Sequence, residues 1–322
     1  MRIVFHGMNA GSFAEGFAGL LDAGHDIAVL PDRLDGADRD AFAAAEAIIG
    51  VAFTPALPTP AGLRLYQVPG AGYDLIDIAA LPPRAALCNV FEHEHAIAEY
   101  VMTALLLRTV EIPRADADLR QGKWTFWAGV GDADHDELRG RTIGLLGYGH
   151  IGKEVAIRAR AFGMKVHVCN RSPVAGLDRA WGLDGLLEFM GSADFILTSL
   201  PMLPDTAGLI GEAALAAMRP HGVLLNVGRG GVVDEAALFA ALKARRIGGA
   251  VIDTWYRYPS APGAIAQPGN LPFHELDNIT MTPHMSGWTS GTIARRQATI
   301  ADNINRLASG DALRNVVKGA SA

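Results

Sequence analysis

Apolar and polar positions alternate in blocks along the chain. Short apolar runs at Ile3–His6, Asp26–Leu30, Ala47–Val51 and Leu63–Val68 read as buried strands. Segments with helical spacing, Phe13–Leu21 and Arg39–Glu46, separate them. Strand, helix and strand at this spacing predict a parallel sheet with helices on its faces. A long helix is predicted over Ala96–Val110. It is apolar almost all round (Ile97, Tyr100, Val101, Leu105, Leu106), which predicts burial on every side and a place as a spine between two domains. The polar stretch Pro113–Arg139 is expected to be irregular. Its Trp124, Phe126 and Trp127 predict packing against a further surface.

The alternation resumes at Thr142. Strands are predicted at Thr142–Leu146, Lys165–Cys169, Asp194–Ser199, Gly222–Asn226, Gly249–Asp253 and Asn278–Met281. Helices are predicted at Ile151–Phe162, Asp184–Met190, Glu212–Met218 and Asp234–Arg245, giving a second parallel sheet of at least six strands. In the last helix, Thr289–Ala308, Ile293, Ile300, Ile304 and Leu307 share one face and Gly310 marks the stop. No strand is expected after it, so this helix should pack back on the first domain. The length of 322 residues fits two domains at roughly 150 residues each.

Composition narrows the function classes. The net charge of −6 argues against a nucleic-acid partner, which needs a basic face. No apolar run approaches the roughly 18 residues of a membrane span, so no membrane partner is expected. Met1–Gly7 reads as a strand and turn rather than a signal peptide, and two cysteines, Cys88 and Cys169, fit a reduced, cytoplasmic chain. Glycine stands out, with 37 residues where about 7% of the chain, roughly 23, is usual. Such an excess points to tight turns and to backbone that approaches a ligand.

The glycines cluster where chemistry is expected. Gly147-Tyr-Gly-His-Ile-Gly152 lies between a predicted strand and helix, with a second strand ending about twenty residues on. In this frame Gly147 makes the turn, Gly149 admits a pyrophosphate and Gly152 packs the helix on the strand. His150 and Ile151 open the helix, whose free amides face the phosphates. The second strand ends in Cys169-Asn170-Arg171-Ser172, without the carboxylate that would hold both ribose hydroxyls of NAD. Arg171 can meet a 2′-phosphate, with Asn170 and Ser172 as donors, so NADP is favoured and NAD is the alternative.

Three further polar patches follow strands, where open α/β sheets bind ligands. Asn226-Val-Gly-Arg-Gly-Gly carries Arg229, suited to a carboxylate and a carbonyl. Asp253-Thr-Trp-Tyr-Arg-Tyr-Pro259 ends another strand. Thr282-Pro-His-Met-Ser-Gly287 carries His284, able to exchange a proton near neutral pH. Each alone reads as a capped strand end; three on one sheet edge beside a dinucleotide turn read as an active site. The Phe91-Glu-His-Glu-His95 cluster resembles metal-ligand spacing, but no metal is expected.

With these motifs, most of the chain resembles the D-isomer-specific 2-hydroxyacid dehydrogenases, which include formate dehydrogenase, phosphoglycerate dehydrogenase and glyoxylate/hydroxypyruvate reductases. The resemblance is strongest from Leu138 to Gly287, and includes Leu200-Pro-Met-Leu-Pro-Asp-Thr206 and Pro69-Gly-Ala-Gly-Tyr-Asp. It implies an α/β fold of two parallel-sheet domains, a flavodoxin-like substrate domain over 1–97 and 288–322 and a Rossmann dinucleotide-binding domain over 98–287. It also implies that Arg229 polarises the substrate and His284 exchanges its proton, and that Gly70, Ala71 and Gly72 anchor a small carboxylate substrate. Asp253 would hold the nicotinamide amide. Leu200, Pro201, Thr206, Val227 and Gly287 would line the cofactor, Trp288 would narrow the substrate pocket, and the protein would be a homodimer.

One departure bears on catalysis. The family usually has a glutamate five residues after the aspartate and before a proline; here that place is Tyr258, followed by Pro259. A glutamate would keep the histidine protonated to higher pH. Tyr258 can only hydrogen-bond the ring. Glu94 and Glu275 are candidate substitutes. Formate dehydrogenases also lack the glutamate, and the stretch ending Tyr-Pro-Ser-Ala-Pro262 resembles theirs. Three readings follow: a 2-hydroxyacid dehydrogenase or 2-ketoacid reductase, a formate-like enzyme that needs no proton acceptor, and an NADP(H)-binding regulatory protein.

Overall fold

The computed structural model describes residues 1–261 and 263–320; Pro262, Ser321 and Ala322 lie outside the described residues. The chain divides into two compact units, Met1–Glu92 with the chain from Thr289 onward, and His93–Trp288. The crossings fall a few residues from those read at 97/98 and 287/288.

The first unit opens with β1 (Arg2–His6), α1 (Gly7–Gly11), β2 (Asp26–Leu30) and α2 (Gly36–Ala43). It continues through β3 (Ala47–Gly50), β4 (Leu65–Gln67) and β5 (Ala86–Cys88). The second unit runs α3 (Glu94–Thr109), α4 (Ile112–Leu119), β6 (Thr142–Leu146), α5 (His150–Ala161), β7 (Lys165–Cys169), β8 (Arg179–Trp181), α6 (Leu186–Gly191) and β9 (Phe195–Thr198). After these come α7 (Glu212–Ala217), β10 (Val223–Asn226), α8 (Glu235–Lys243), β11 (Gly249–Ile252) and β12 (Ile279–Met281). The chain returns to the first unit with α9 (Ser290–Ser309) and β13 (Val316–Lys318).

The inner strands of both sheets are buried on two faces, which is why they read as continuous apolar runs. Along β1, Ile3 and Phe5 join a core with Ile300, Ala301, Ile304 and Leu307 of α9, while Val4 joins Phe42 of α2 on the other face. The first sheet has the order β13-β5-β4-β3-β1-β2, parallel except for β13. The second has the order β12-β11-β10-β9-β6-β7-β8, parallel throughout. Its direction of winding reverses between β6 and β9, the switch point where doubly wound sheets bind ligands.

Several expectations need correction. The stretch 13–21 forms only a 3-10 turn at Phe17–Leu20, because Gly16 and Gly19 interrupt it. A strand does follow the last helix: β13 pairs antiparallel with β5, closing an edge with a short segment whose pattern was too brief to read. The stretch 113–139 begins with α4 before turning irregular, and Trp124 and Trp127 are exposed. The long helix α3 is not buried all round. Ile97, Val101, Met102 and Leu105 pack on Val155, Ala156 and Ala159 of α5, whereas Leu107 is exposed. Both cysteines are buried free thiols, pushed by burial to about 12 (Cys88) and about 11 (Cys169). No helix among the described residues is long and apolar enough to cross a membrane.

Candidate active site

The glycine turn sits at the C-terminal end of β6. Gly147 has φ +96°, a left-handed conformation that L side chains rarely adopt. Its amide donates to the Cys169 carbonyl at 2.9 Å, tying the turn to β7. A Cβ on Gly152 would stand 2.5 Å from the Gly147 carbonyl oxygen, so α5 can approach the strand only without one. Gly149 faces open space, with no atom within 4 Å of where its Cβ would be. It caps α5 without a side-chain bond, leaving the amides of His150, Ile151 and Gly152 to the helix's positive end. Two glycines are therefore required by the protein itself, and the third leaves room for a ligand. The turn fits a pyrophosphate.

Around this turn, some predicted cofactor residues serve the fold. Asn170 accepts the Tyr148 amide at 3.2 Å and donates to the Ser172 carbonyl at 2.9 Å, so its side chain braces the turn. Thr206 is buried; its hydroxyl donates to the Pro201 carbonyl at 2.7 Å and accepts the Leu203 amide at 2.8 Å. It shapes the 201–206 turn that follows Leu200. Arg171 is exposed and paired with Asp205 at 2.5 Å, a partner that sequence reasoning missed although Asp205 lies in a quoted motif. Val227 is buried against β9, its amide donating to the Thr198 carbonyl.

The Arg229 loop is built by Asn226, buried at the end of β10. Its side chain donates to the Arg229 carbonyl at 3.0 Å and accepts the Gly228 amide at 3.1 Å. The Arg229 guanidinium donates to the Gly228 carbonyl at 3.0 Å. The loop lies against the 253–258 segment, where a Cβ on Gly230 would strike the Trp255 backbone.

Asp253, at the end of β11, is fully buried. Its carboxylate accepts the Thr282 hydroxyl at 2.6 Å and the amides of Met285 (2.8 Å) and Ser286 (3.0 Å). The residue expected to hold the nicotinamide amide is thus engaged by the loop that carries His284. That histidine has φ +57°, the left-handed region, rare for a non-glycine residue.

The structure brings Tyr258 and His284 together: the phenol oxygen lies 2.9 Å from Nδ1. The same oxygen accepts the Trp255 amide at 3.2 Å. Burial pushes the Tyr258 hydroxyl above its ordinary range, so it keeps its proton, and among the described residues Nδ1 is the acceptor within reach. In the neutral-ring tautomer that carries its proton on Nε2, Tyr258 donates to Nδ1. Of the two candidate substitute carboxylates, Glu275 is exposed. Glu94 is largely buried, with Oε2 3.7 Å from His93 Nδ1, and His93 in turn lies against Gly287. Trp288 is half-exposed after Gly287. No cluster of metal-ligating groups occurs among the described residues.

In the first unit, Gly70, Ala71 and Gly72 follow β4. Asn89 donates to the Ala71 carbonyl at 2.8 Å and the Val90 amide to the Gly70 carbonyl at 3.0 Å. These bonds occupy carbonyls rather than the loop's own amides. The Arg296 guanidinium lies near Gly70, with Nη1 3.9 Å from where a Cβ would be.

Residues 102–286 match the NAD binding domain of the D-isomer specific 2-hydroxyacid dehydrogenases. D-3-phosphoglycerate dehydrogenase of Archaeoglobus fulgidus is 32% identical over 261 residues, 79% of this chain and 47% of that protein. The Mycobacterium tuberculosis enzyme of that name is 31% identical over 302 residues, 88% of this chain and 55% of that one. The chain thus spans about half the length of the curated relatives it matches. A solved 2-hydroxyacid dehydrogenase from Ketogulonicigenium vulgare superposes with a TM-score of 0.81 at 26% identity, covering 99% of both chains. An NADPH-dependent glyoxylate/hydroxypyruvate reductase from Sinorhizobium meliloti, solved with NADP and malonate, gives a TM-score of 0.76 at 27% identity over 98% of this chain and 96% of that one. The chain belongs to the D-isomer specific 2-hydroxyacid dehydrogenase family.

Proposed function

We propose that this chain is an NADP(H)-linked oxidoreductase that interconverts a small 2-keto acid and its D-2-hydroxy acid, acting as a homodimer. The observation that carries the reading is the left-handed His284, held at one sheet edge with the glycine turn and the Arg229 loop, its ring bonded to Tyr258. The dinucleotide, when bound at Gly147–Gly152, supplies or accepts the hydride. Arg229 orients the substrate carboxylate and draws electron density from the keto oxygen. His284 passes a proton from Nε2 to that oxygen in reduction and takes it back in oxidation.

NADP is preferred because no carboxylate ends β7. The Arg171–Asp205 pair is exposed, and such pairs are worth about 0–1 kcal/mol. A 2′-phosphate can therefore take the guanidinium at little cost. Asp205, 34 residues on, is also the group through which NAD would be accepted if it displaced Arg171.

A second reading is favoured by one observation. The group at the place of the family's usual glutamate is an uncharged phenol, 2.9 Å from His284 Nδ1. That suits a hydride transfer that needs no proton acceptor, as in formate oxidation. The test is turnover of glyoxylate, hydroxypyruvate, pyruvate and phenylpyruvate with NADPH between pH 5 and 8, with formate and NADP in parallel. Ketoacid reduction is expected, with NADPH bound more tightly than NADH. Because a carboxylate beside His284 keeps it protonated longer, Tyr258→Glu should carry reduction to higher pH by about one to three units. Formate turnover alone selects the second reading. Tight NADPH binding with no turnover points to a regulatory protein instead.

A further inference from the structure

We infer that Tyr100 is a positioning residue for His284, acting through Thr282 and Asp253. The inference rests on the proposed role of His284 as the proton-exchanging group. The Thr282 hydroxyl carries one proton and gives it to Asp253 Oδ1 at 2.6 Å. The Tyr100 hydroxyl lies 2.7 Å from Thr282 Oγ1, so it must be the donor of that bond. Burial keeps the Tyr100 hydroxyl protonated, above its ordinary range. The chain of donors therefore runs from Tyr100 to Thr282 to Asp253.

Each end of this chain is anchored. Tyr100 sits in the middle of α3, which packs firmly on α5. Asp253 closes on the amides of Met285 and Ser286, the two residues after His284. On the other side, the Thr282 carbonyl accepts the Trp255 indole at 2.7 Å and the His284 amide at 3.0 Å. His284 is thus gripped before and behind while its own φ is +57°. A left-handed non-glycine residue is strained and persists only where its surroundings over-determine it. Without the Tyr100 proton, Thr282 Oγ1 loses its donor, and the hydroxyl is free to turn from Asp253. The grip on one side of His284 then loosens.

Tyr100→Phe keeps the ring and removes the hydroxyl. Side-chain ¹⁵N spectra of histidine-labelled protein report the His284 ring without any substrate. In the native chain His284 is expected to give one narrow set of ring signals. In Tyr100→Phe and Thr282→Val these signals broaden or split, and Thr282→Ser, which keeps the hydroxyl, restores them. With a ketoacid substrate, kcat falls about tenfold in Tyr100→Phe while the cofactor KM stays within twofold, as misplacement of a reacting group requires. Adding Tyr100→Phe to Thr282→Val costs nothing further, because both cut one path. Unchanged His284 signals in Tyr100→Phe, or additive losses in the double variant, overturn the inference. An absence of ketoacid turnover in the native chain sinks the proposed reaction and leaves the spectra to decide this one.

Discussion

The two edges of the second sheet carry similar residues and use them differently. At the N-terminal edge, Asp194 precedes β9 and is buried. It accepts the Thr142 amide at 2.7 Å, the Arg219 guanidinium at 2.5 Å and the His221 ring at 2.9 Å. Arg219 also donates to the Gly191 and Ser192 carbonyls. Every bond there closes the fold on itself. At the C-terminal edge, Asp253 is just as buried and takes as many bonds, but it spends them on a loop that bends His284 into a left-handed turn. Along the same edge, after β6, the first amides of α5 and the space over Gly149 are left to a ligand. A buried carboxylate is therefore no mark of a site. What separates the two edges is whether its bonds relieve strain or maintain it.

The sharpest way to break this contrast is His284→Asn. Asparagine tolerates the left-handed turn, so the fold should hold while ketoacid reduction falls by about 10²–10⁴-fold. Steady-state kinetics beside a melting curve checks both halves. Retained activity would mean that the strained turn serves packing only.

At the opposite edge the effect should fall on stability instead. Asp194→Ala is expected to cost about 3 kcal/mol, the lower end for a broken buried pair, because Arg219 and His221 reach solvent. Urea unfolding measures it, and activity per folded molecule should be unchanged. Burial by itself raises the Asp194 carboxyl, but the bonds from His221, Thr142 and Arg219 outweigh that and hold it below the usual range. Its contribution is then complete above about pH 5 and is lost as the pH falls through the folded value. Asp194→Asn should flatten this acid limb.

The smallest expected effects come from the glycine turn, and they sharpen the same distinction within six residues. Gly149→Ala meets nothing in the protein. It should leave the melting temperature unchanged and weaken dinucleotide binding about tenfold by filling the approach to the backbone. Gly152→Ala collides with the Gly147 carbonyl and should cost stability first. Equal effects of the two on binding and stability would erase the division between glycines kept for the fold and the one kept for a ligand.

Much of this was legible in the sequence. The strands β6 and β7 fall where the apolar runs placed them, since a strand buried on both faces writes its limits as apolar residues, and the edge strand β2 does so although it is only partly buried. The glycine turn was legible because its requirements are local. The strands β5, β8 and β13 were not; β4 and β12 are as short but lie in longer apolar runs or directly before a polar patch that marks the strand end. The Tyr258–His284 contact was anticipated from position alone, but the Trp255 amide on the same oxygen was not.

By itself the sequence determined two doubly wound sheets, the dinucleotide turn and the loss of the usual glutamate, because period, glycine and strand-end chemistry act over neighbouring residues. Only the tertiary structure decided which polar groups are consumed and which are left to act. Arg171 met Asp205 across 34 residues, Asp253 met Thr282 across 29, and Tyr100 met Thr282 across 182. A hydrogen bond depends on where two atoms end up in space, and no local pattern along the chain carries that distance.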